Sequence, residues 1–198
     1  MKKTSRSALS AVLAVLGIAA AFPAPAAPAV GTAAPDFTLP AASGASGPVA
    51  LKDVAAKGKG AVIIFVSTRC PYSNAYVGRM NALAKAYAAK GIAVLGINSN
   101  KNEPVAEIAD HSKKNDVPFP ILKDDGNKVA DAYGANHTPE AFLIDAKGML
   151  VYHGRIDESQ EESSARSHDL QNAINALLAG KPVPVAETKA FGCSIKRV

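Results

Sequence analysis

The sequence predicts an α/β domain, a central mixed sheet flanked by helices with a short hairpin ahead of it. Three observations carry this. Apolar, β-branched runs at 61–66 (AVIIFV) and 92–97 (IAVLGI) show no polar alternation, as expected for strands covered on both faces. Each is followed by a stretch with helical apolar spacing, the order of a parallel strand–helix–strand layout. Two later apolar runs, 141–144 and 149–152, flank Asp145-Ala146-Lys147-Gly148, a hairpin turn signal that gives the sheet an antiparallel side.

The chain opens with Lys2, Lys3 and Arg6, an apolar run at 8–22, then Pro23 and Ala24-Pro25-Ala26. This is the pattern of a secretory signal over 1–26, cut after Ala26. At 15 residues it falls short of the roughly 20 that cross a bilayer as a helix. The first cysteine is Cys70, so no sulfur near the cut can take a lipid. The expected location is periplasmic or secreted, without stable membrane insertion. Of the 198 residues, 172 then remain, with 19 Lys and Arg against 17 Asp and Glu. So small an excess, with no basic block interleaved with aromatics, leaves no electrostatic footprint for nucleic acid.

Residues 27–35, rich in alanine and proline, read as a flexible leader. The domain is expected over 36–180, with 181–198 a C-terminal tail carrying Cys193. Within the domain, 37–39 and 49–51 around a Gly/Ser-rich turn form the N-terminal hairpin. After the strand at 61–66, Val77, Met80, Leu83, Ala84 and Tyr87 share one helical face; Pro71 suits the first turn, and one helix is expected over 71–89. Beyond the strand at 92–97 come a helix at 104–114 with Val105 and Ile108 inward, an extended piece at 119–122 and a short helix at 128–133 closed by Gly134. After the hairpin, an amphipathic helix at 168–178 carries Leu170, Ile174, Leu177 and Leu178.

The chemistry points to Cys70. It stands where a buried strand turns into a helix that starts at Pro71. Unpaired amides and the positive end of the backbone dipole favour a thiolate there. Arg69 beside it is a candidate for added positive charge. The same sulfur also suits a small buried hydrophobe or half of a structural disulfide. Cys193 is the only other cysteine, 123 positions later, and so the only intramolecular candidate to resolve an intermediate at Cys70; a permanent cross-link and a free thiol are the other readings.

The order strand, Cys70-Pro71-Tyr72-Ser73, helix, strand, helix, Thr138-Pro139, hairpin, helix resembles the thioredoxin superfamily. Ala34-Pro35-Asp36-Phe37-Thr38-Leu39-Pro40 is similar to the opening segment of its redoxin branch, the alkyl hydroperoxide reductase/thiol-specific antioxidant group. Asn81-Ala82-Leu83-Ala84, Gly154-Arg155-Ile156-Asp157 and Phe191-Gly192-Cys193-Ser194-Ile195-Lys196 resemble a peroxiredoxin-like subgroup of bacterial thioredoxin-like and thiol-disulfide isomerase proteins. The resemblance implies a thioredoxin-like fold. It also implies a cis peptide at Thr138-Pro139 facing the reactive cysteine, with backbone groups that hold a substrate chain as an added strand.

The departures are informative. Thioredoxins carry a second cysteine where Ser73 stands, and serine cannot resolve a mixed disulfide. The acid that many of them bury on the preceding strand is absent from 61–66. Peroxiredoxins use Pro-x-x-x-Thr/Ser-x-x-Cys and a distant arginine; Ser67 and Cys70 fit this spacing, but Ile63 takes the proline's place and Pro139 falls near that of the arginine.

His111, His137, His153 and His168 show no paired metal spacing, and neither metal nor cofactor is expected. His137 is either a base near Cys70 or a solvent-facing loop residue, and Arg155 reads as structural. The expected activity is thiol-disulfide exchange through Cys70 with Cys193 or an external thiol, on protein or small-molecule thiols and disulfides. The alternatives are peroxidase action on hydroperoxides through Cys70 and a peptide-binding module with a structural disulfide. Ser67, Arg69, Pro71 and Ser73 form the expected surroundings of the sulfur, and Thr138 and Pro139 the substrate contact.

Overall fold

In the computed structural model, which describes residues 27–198, every residue of strand β4 (Gly60–Phe65) is buried. The secretory signal expected over 1–26 lies outside the described residues. Successive residues of a strand point to opposite faces, so this unbroken apolar run feeds two cores at once. Ala61, Ile63 and Phe65 enter one cluster, with α1 (Leu51–Ala56) and α5 (Lys128–Tyr133). Val62, Ile64 and Val66 enter the other, with α3 (Val77–Ala88), α4 (Val105–Lys114) and α6 (Asp169–Leu178).

The sheet has six strands. β4 pairs in parallel with β5 (Ile92–Asn98), which pairs in parallel with β6 (Ile121–Lys123). On its other side β4 meets β8 (Glu140–Asp145) antiparallel, and β9 (Leu150–Gly154) closes the hairpin. The expected mixed sheet is therefore present, with its parallel strands joined through helices and its antiparallel side at 140–154.

The N-terminal hairpin forms where expected, β1 (Thr38–Leu39) pairing with β3 (Val49–Ala50). Between them β2 (Ala41–Ser43) leaves the hairpin and covers the exposed edge of β6, placing Ala41 opposite Leu122. Residues 31–34, expected as part of a flexible leader, are held to the β8–β9 hairpin. Gly31 N–H donates to Leu150 O and Ala34 N–H to Gly148 O, and Leu150 N–H donates back to Thr32 O. Backbone pairing with an open strand edge, which composition does not reveal, orders this alanine-rich piece.

The single helix expected over 71–89 is two, α2 (Pro71–Ala75) and α3, broken at Tyr76. The Tyr76 hydroxyl donates to Asp157 Oδ1 at 2.8 Å, and Arg79 reaches both oxygens of Asp157 while its guanidinium carbon lies 3.6 Å over the Tyr76 ring. This buried cluster anchors the junction, and with it the short helix that starts at Cys70. In α4 the buried face is Ile108 and Ser112, one turn apart; Val105, expected inward, is 48% exposed. Gly134 closes α5 in the left-handed conformation, φ 64°. Among the described residues no helix is long and apolar enough to cross a membrane.

Candidate active site

Cys70 is the N-cap of α2, with extended backbone (φ −82°, ψ 119°), and its sulfur accepts the Ser73 N–H at 3.3 Å. Pro71 fills the first helical position, where no amide is needed. The turn before it is organised by Ser67: its hydroxyl accepts from Arg69 N–H at 3.2 Å and Cys70 N–H at 3.1 Å and donates to Glu103 Oε1 at 2.5 Å. Ser73, standing where thioredoxins carry their second cysteine, accepts the Ser67 N–H on its own hydroxyl at 3.1 Å. The two serines thus close the turn on each other, and both are buried.

Arg69 does not charge the sulfur. Its guanidinium binds Glu107 through Nε at 2.9 Å and Nη2 at 2.5 Å, and the side chain is half exposed. That pair, with a further bond from the Thr68 hydroxyl, holds the Glu107 carboxyl down at about 2. The positive charge expected beside Cys70 is neutralised there. The sulfur's polar neighbours are instead the Ser73 amide and the Thr138 carbonyl, 3.1 Å away.

Thr138-Pro139 is a cis peptide, and both residues are buried. Cys193 forms a disulfide with Cys70, Cα–Cα 5.9 Å. The tail does more than reach the sulfur. β10 (Cys193–Ser194) pairs antiparallel with β7 (His137–Thr138), Cys193 opposite Thr138, and Ile195 N–H continues the ladder to Asn136 O at 3.0 Å. Gly192 has φ 148°, and a Cβ there would run into the Thr138 carbonyl, so only glycine lets the two backbones approach so closely. Past the strand, Lys196 N–H bonds Asn100 Oδ1 and Arg197 bonds Asp131.

Two buried carboxyls escaped sequence reasoning. Glu103 accepts from Ser67, from Thr68 N–H at 2.7 Å and from Asn98 Nδ2 at 2.6 Å, and so fixes the cysteine turn from below. Glu140 follows the cis proline and accepts from Asn136 N–H at 2.7 Å, His137 N–H at 2.9 Å and His153 Nε2 at 2.7 Å. Each had a sequence signal: Glu140 is the one charge ahead of an apolar run, and Glu103 sits beside a helix-starting proline after a buried strand. His137 turns its ring toward Glu140, Nδ1 3.8 Å from Oε2. Arg155 pairs with Asp169 at 2.7 Å, the structural role expected of it. Among the described residues no three His, Cys, Asp or Glu side chains cluster as metal ligands would.

Burial pushes the Glu140 carboxyl up, but the bonds from His153 and the two backbone amides outweigh it, and the net shift is downward from 4.5. A depressed carboxyl stabilises the fold above its unfolded value, and that contribution disappears as pH falls through the lower folded one. Glu140→Gln should therefore cost about 1–3 kcal/mol at neutral pH. Urea melts of both proteins from pH 7 down to 3 should show the difference shrinking below pH 4.5; a constant difference would contradict the assignment.

The disulfide closes a loop of 123 residues, which chain entropy values at about 4–5 kcal/mol. Reduction should lower the melting temperature by on the order of 10 °C. Calorimetry with and without reductant checks this, and a shift under about 2 °C would show that the cross-link adds nothing to the fold.

Residues 30–153 match the AhpC/TSA family. The thiol-disulfide oxidoreductase ResA of Geobacillus thermodenitrificans (strain NG80-2) is 32% identical over 158 residues, covering 76% of this chain and 87% of that protein. Among solved structures, a hypothetical protein of Sinorhizobium meliloti 1021 is 34% identical with TM-score 0.77, covering 87% of this chain and 97% of the other. A thiol:disulfide interchange protein of the thioredoxin family from Chlorobium tepidum TLS, at 22% identity, TM-score 0.59 and coverage of 74% and 96%, shares the fold. Because the family match spans more than half of the chain and the ResA likeness covers most of both proteins, this chain belongs to the AhpC/TSA redoxin family and is a thiol-disulfide oxidoreductase of thioredoxin-like fold.

Proposed function

We propose that exchange runs through Cys70 as nucleophile and Cys193 as resolving thiol, on protein thiols and disulfides, in the periplasm or outside the cell. The observation that carries this is the Cys70–Cys193 disulfide itself, seated at a helix start and against the cis-proline segment. Cys70 thiolate, stabilised by the Ser73 amide, attacks a substrate disulfide and releases one thiol. Cys193 loses its proton to water and attacks Cys70 Sγ, so that the internal disulfide forms and the second thiol leaves. The enzyme's two thiols supply two electrons to the substrate disulfide, and an external dithiol restores them. Thr138 and Pro139 hold the substrate strand.

The Ser67 hydroxyl, which in a peroxide-reducing site would face the oxidant, is already bonded to Glu103 and two amides, which favours exchange over peroxide reduction. The leader pattern at 1–26 supports export, as does a disulfide that an oxidising compartment would keep closed.

The test is a titration of the fully reduced protein with glutathione disulfide, followed by mass. Two glutathione thiols per disulfide consumed, and a closed Cys70–Cys193 pair free of adduct, are expected. Stable glutathione on both cysteines would overturn the resolving role.

A further inference from the structure

A cross-link needs only two cysteines at bonding distance, yet this tail is fitted to the groove on both sides of its sulfur. In the extended segment, residues 191, 193 and 195 share one face. Two positions before Cys193, the Phe191 ring lies edge-on to Tyr72 and Tyr76, centroids 6.2 and 6.4 Å apart. Two positions after it, Ile195 is 6% exposed and joins the core cluster containing Phe37, Phe65 and Tyr133. Ser194 and Lys196, on the alternate face, are exposed, and Gly192 permits the close backbone approach. Tyr72 remains 37% exposed even with Phe191 in place, an aromatic held at the surface beside the reactive sulfur.

We propose that residues 190–196 are a resident surrogate of the substrate. The groove's substrate class is then an extended protein segment whose cysteine follows an aromatic residue by two and a glycine by one and precedes a branched aliphatic residue by two. This rests on the exchange reading above. When Cys70 and Cys193 are reduced, a substrate strand takes the tail's place antiparallel to His137–Thr138. Cys70 thiolate attacks the substrate cysteine in its disulfide: the Cys70–substrate bond forms, the substrate S–S bond breaks, and the outer sulfur leaves as a thiolate that takes a proton. The returning tail brings Cys193, which gives its proton to water and attacks Cys70 Sγ. The internal disulfide forms, the substrate cysteine leaves as thiolate, and the tail strand takes over the groove. Resolution of the intermediate and expulsion of the product are one event, because tail and substrate compete for the same pockets.

The test uses the reduced full-length Cys193→Ser protein and the peptide Lys-Ala-Phe-Gly-Cys-Ser-Ile-Lys with its cysteine activated as a thionitrobenzoate disulfide. Release of thionitrobenzoate reports attack by Cys70. The peptide should react at least about tenfold faster than a scrambled peptide of the same composition. Replacing its Phe or its Ile by serine should remove most of that advantage. Adding Phe191→Ser to the protein, which loosens the competing tail, should raise the rate with the small reagent dithiobis(nitrobenzoate). The reduced wild-type protein, which needs no substitution to fold, should give the same ranking of peptides. Equal rates for all peptides, within twofold, together with rapid reaction of the small reagent, would overturn the surrogate and leave the exchange chemistry standing. Failure of Cys70 to react with the small reagent as well would overturn both.

Discussion

Cys70→Ser should reduce exchange by at least about a hundredfold, to the rate of an ordinary thiol acting alone. The reason is positional as much as chemical. Among the described residues, Cys70 is the only sulfur that sits at a helix start, accepts an amide N–H and faces the cis-proline segment. Cys193 retains its thiol in this variant, but it lies on the tail, with no helix start behind it. Turnover of a fluorescent mixed disulfide by the two proteins measures the difference. Retention of a tenth or more of the wild-type rate would place the reactive sulfur elsewhere.

Cys193→Ser should give the opposite phenotype, a rapid first step and a blocked second one. The tail holds Cys193 against Cys70 by a β-pairing, an aromatic contact and a buried isoleucine. Its effective concentration is therefore millimolar or more, and against about 10 µM external thiol the adduct on Cys70 should persist at least about a hundredfold longer. Mass spectra at timed intervals after one equivalent of disulfide give the lifetime. An adduct as short-lived as in the wild type would mean that an external thiol resolves it.

The sheet was legible in the sequence because its central strands are buried on both faces. A six-residue apolar run without alternation, such as 61–66, is too short for a buried helix and suits a doubly covered strand, and the hairpin around Asp145–Gly148 carries its own turn chemistry. The break at Tyr76 was not legible, since it is set by Asp157, 81 positions away. The same holds for residues 31–34, which are ordered by an edge strand rather than by their own composition. At the site, Cys70 and Pro71 announced themselves through local position, and the Thr138-Pro139 pair only through the family resemblance. Arg69 misled, because a neighbour in sequence at a turn answered to Glu107 across the loop instead. Glu103 and Glu140 were missed because a carboxyl looks solvated until the amides that satisfy it are located. The docking of the tail depends on Phe191 and Ile195 meeting surfaces built by distant parts of the chain, which no local pattern records.

The backbone amide of Ser73 and the start of α2 are expected to hold the reduced Cys70 as a thiolate. The most direct test is the pH dependence of iodoacetamide alkylation in the reduced wild-type protein, with each cysteine followed separately by peptide mass. Cys70 should reach half its maximal rate well below the ordinary cysteine value of about 8.5, and below Cys193 in the same sample. Half-maximal alkylation of Cys70 at or above about 8.5 would contradict the account.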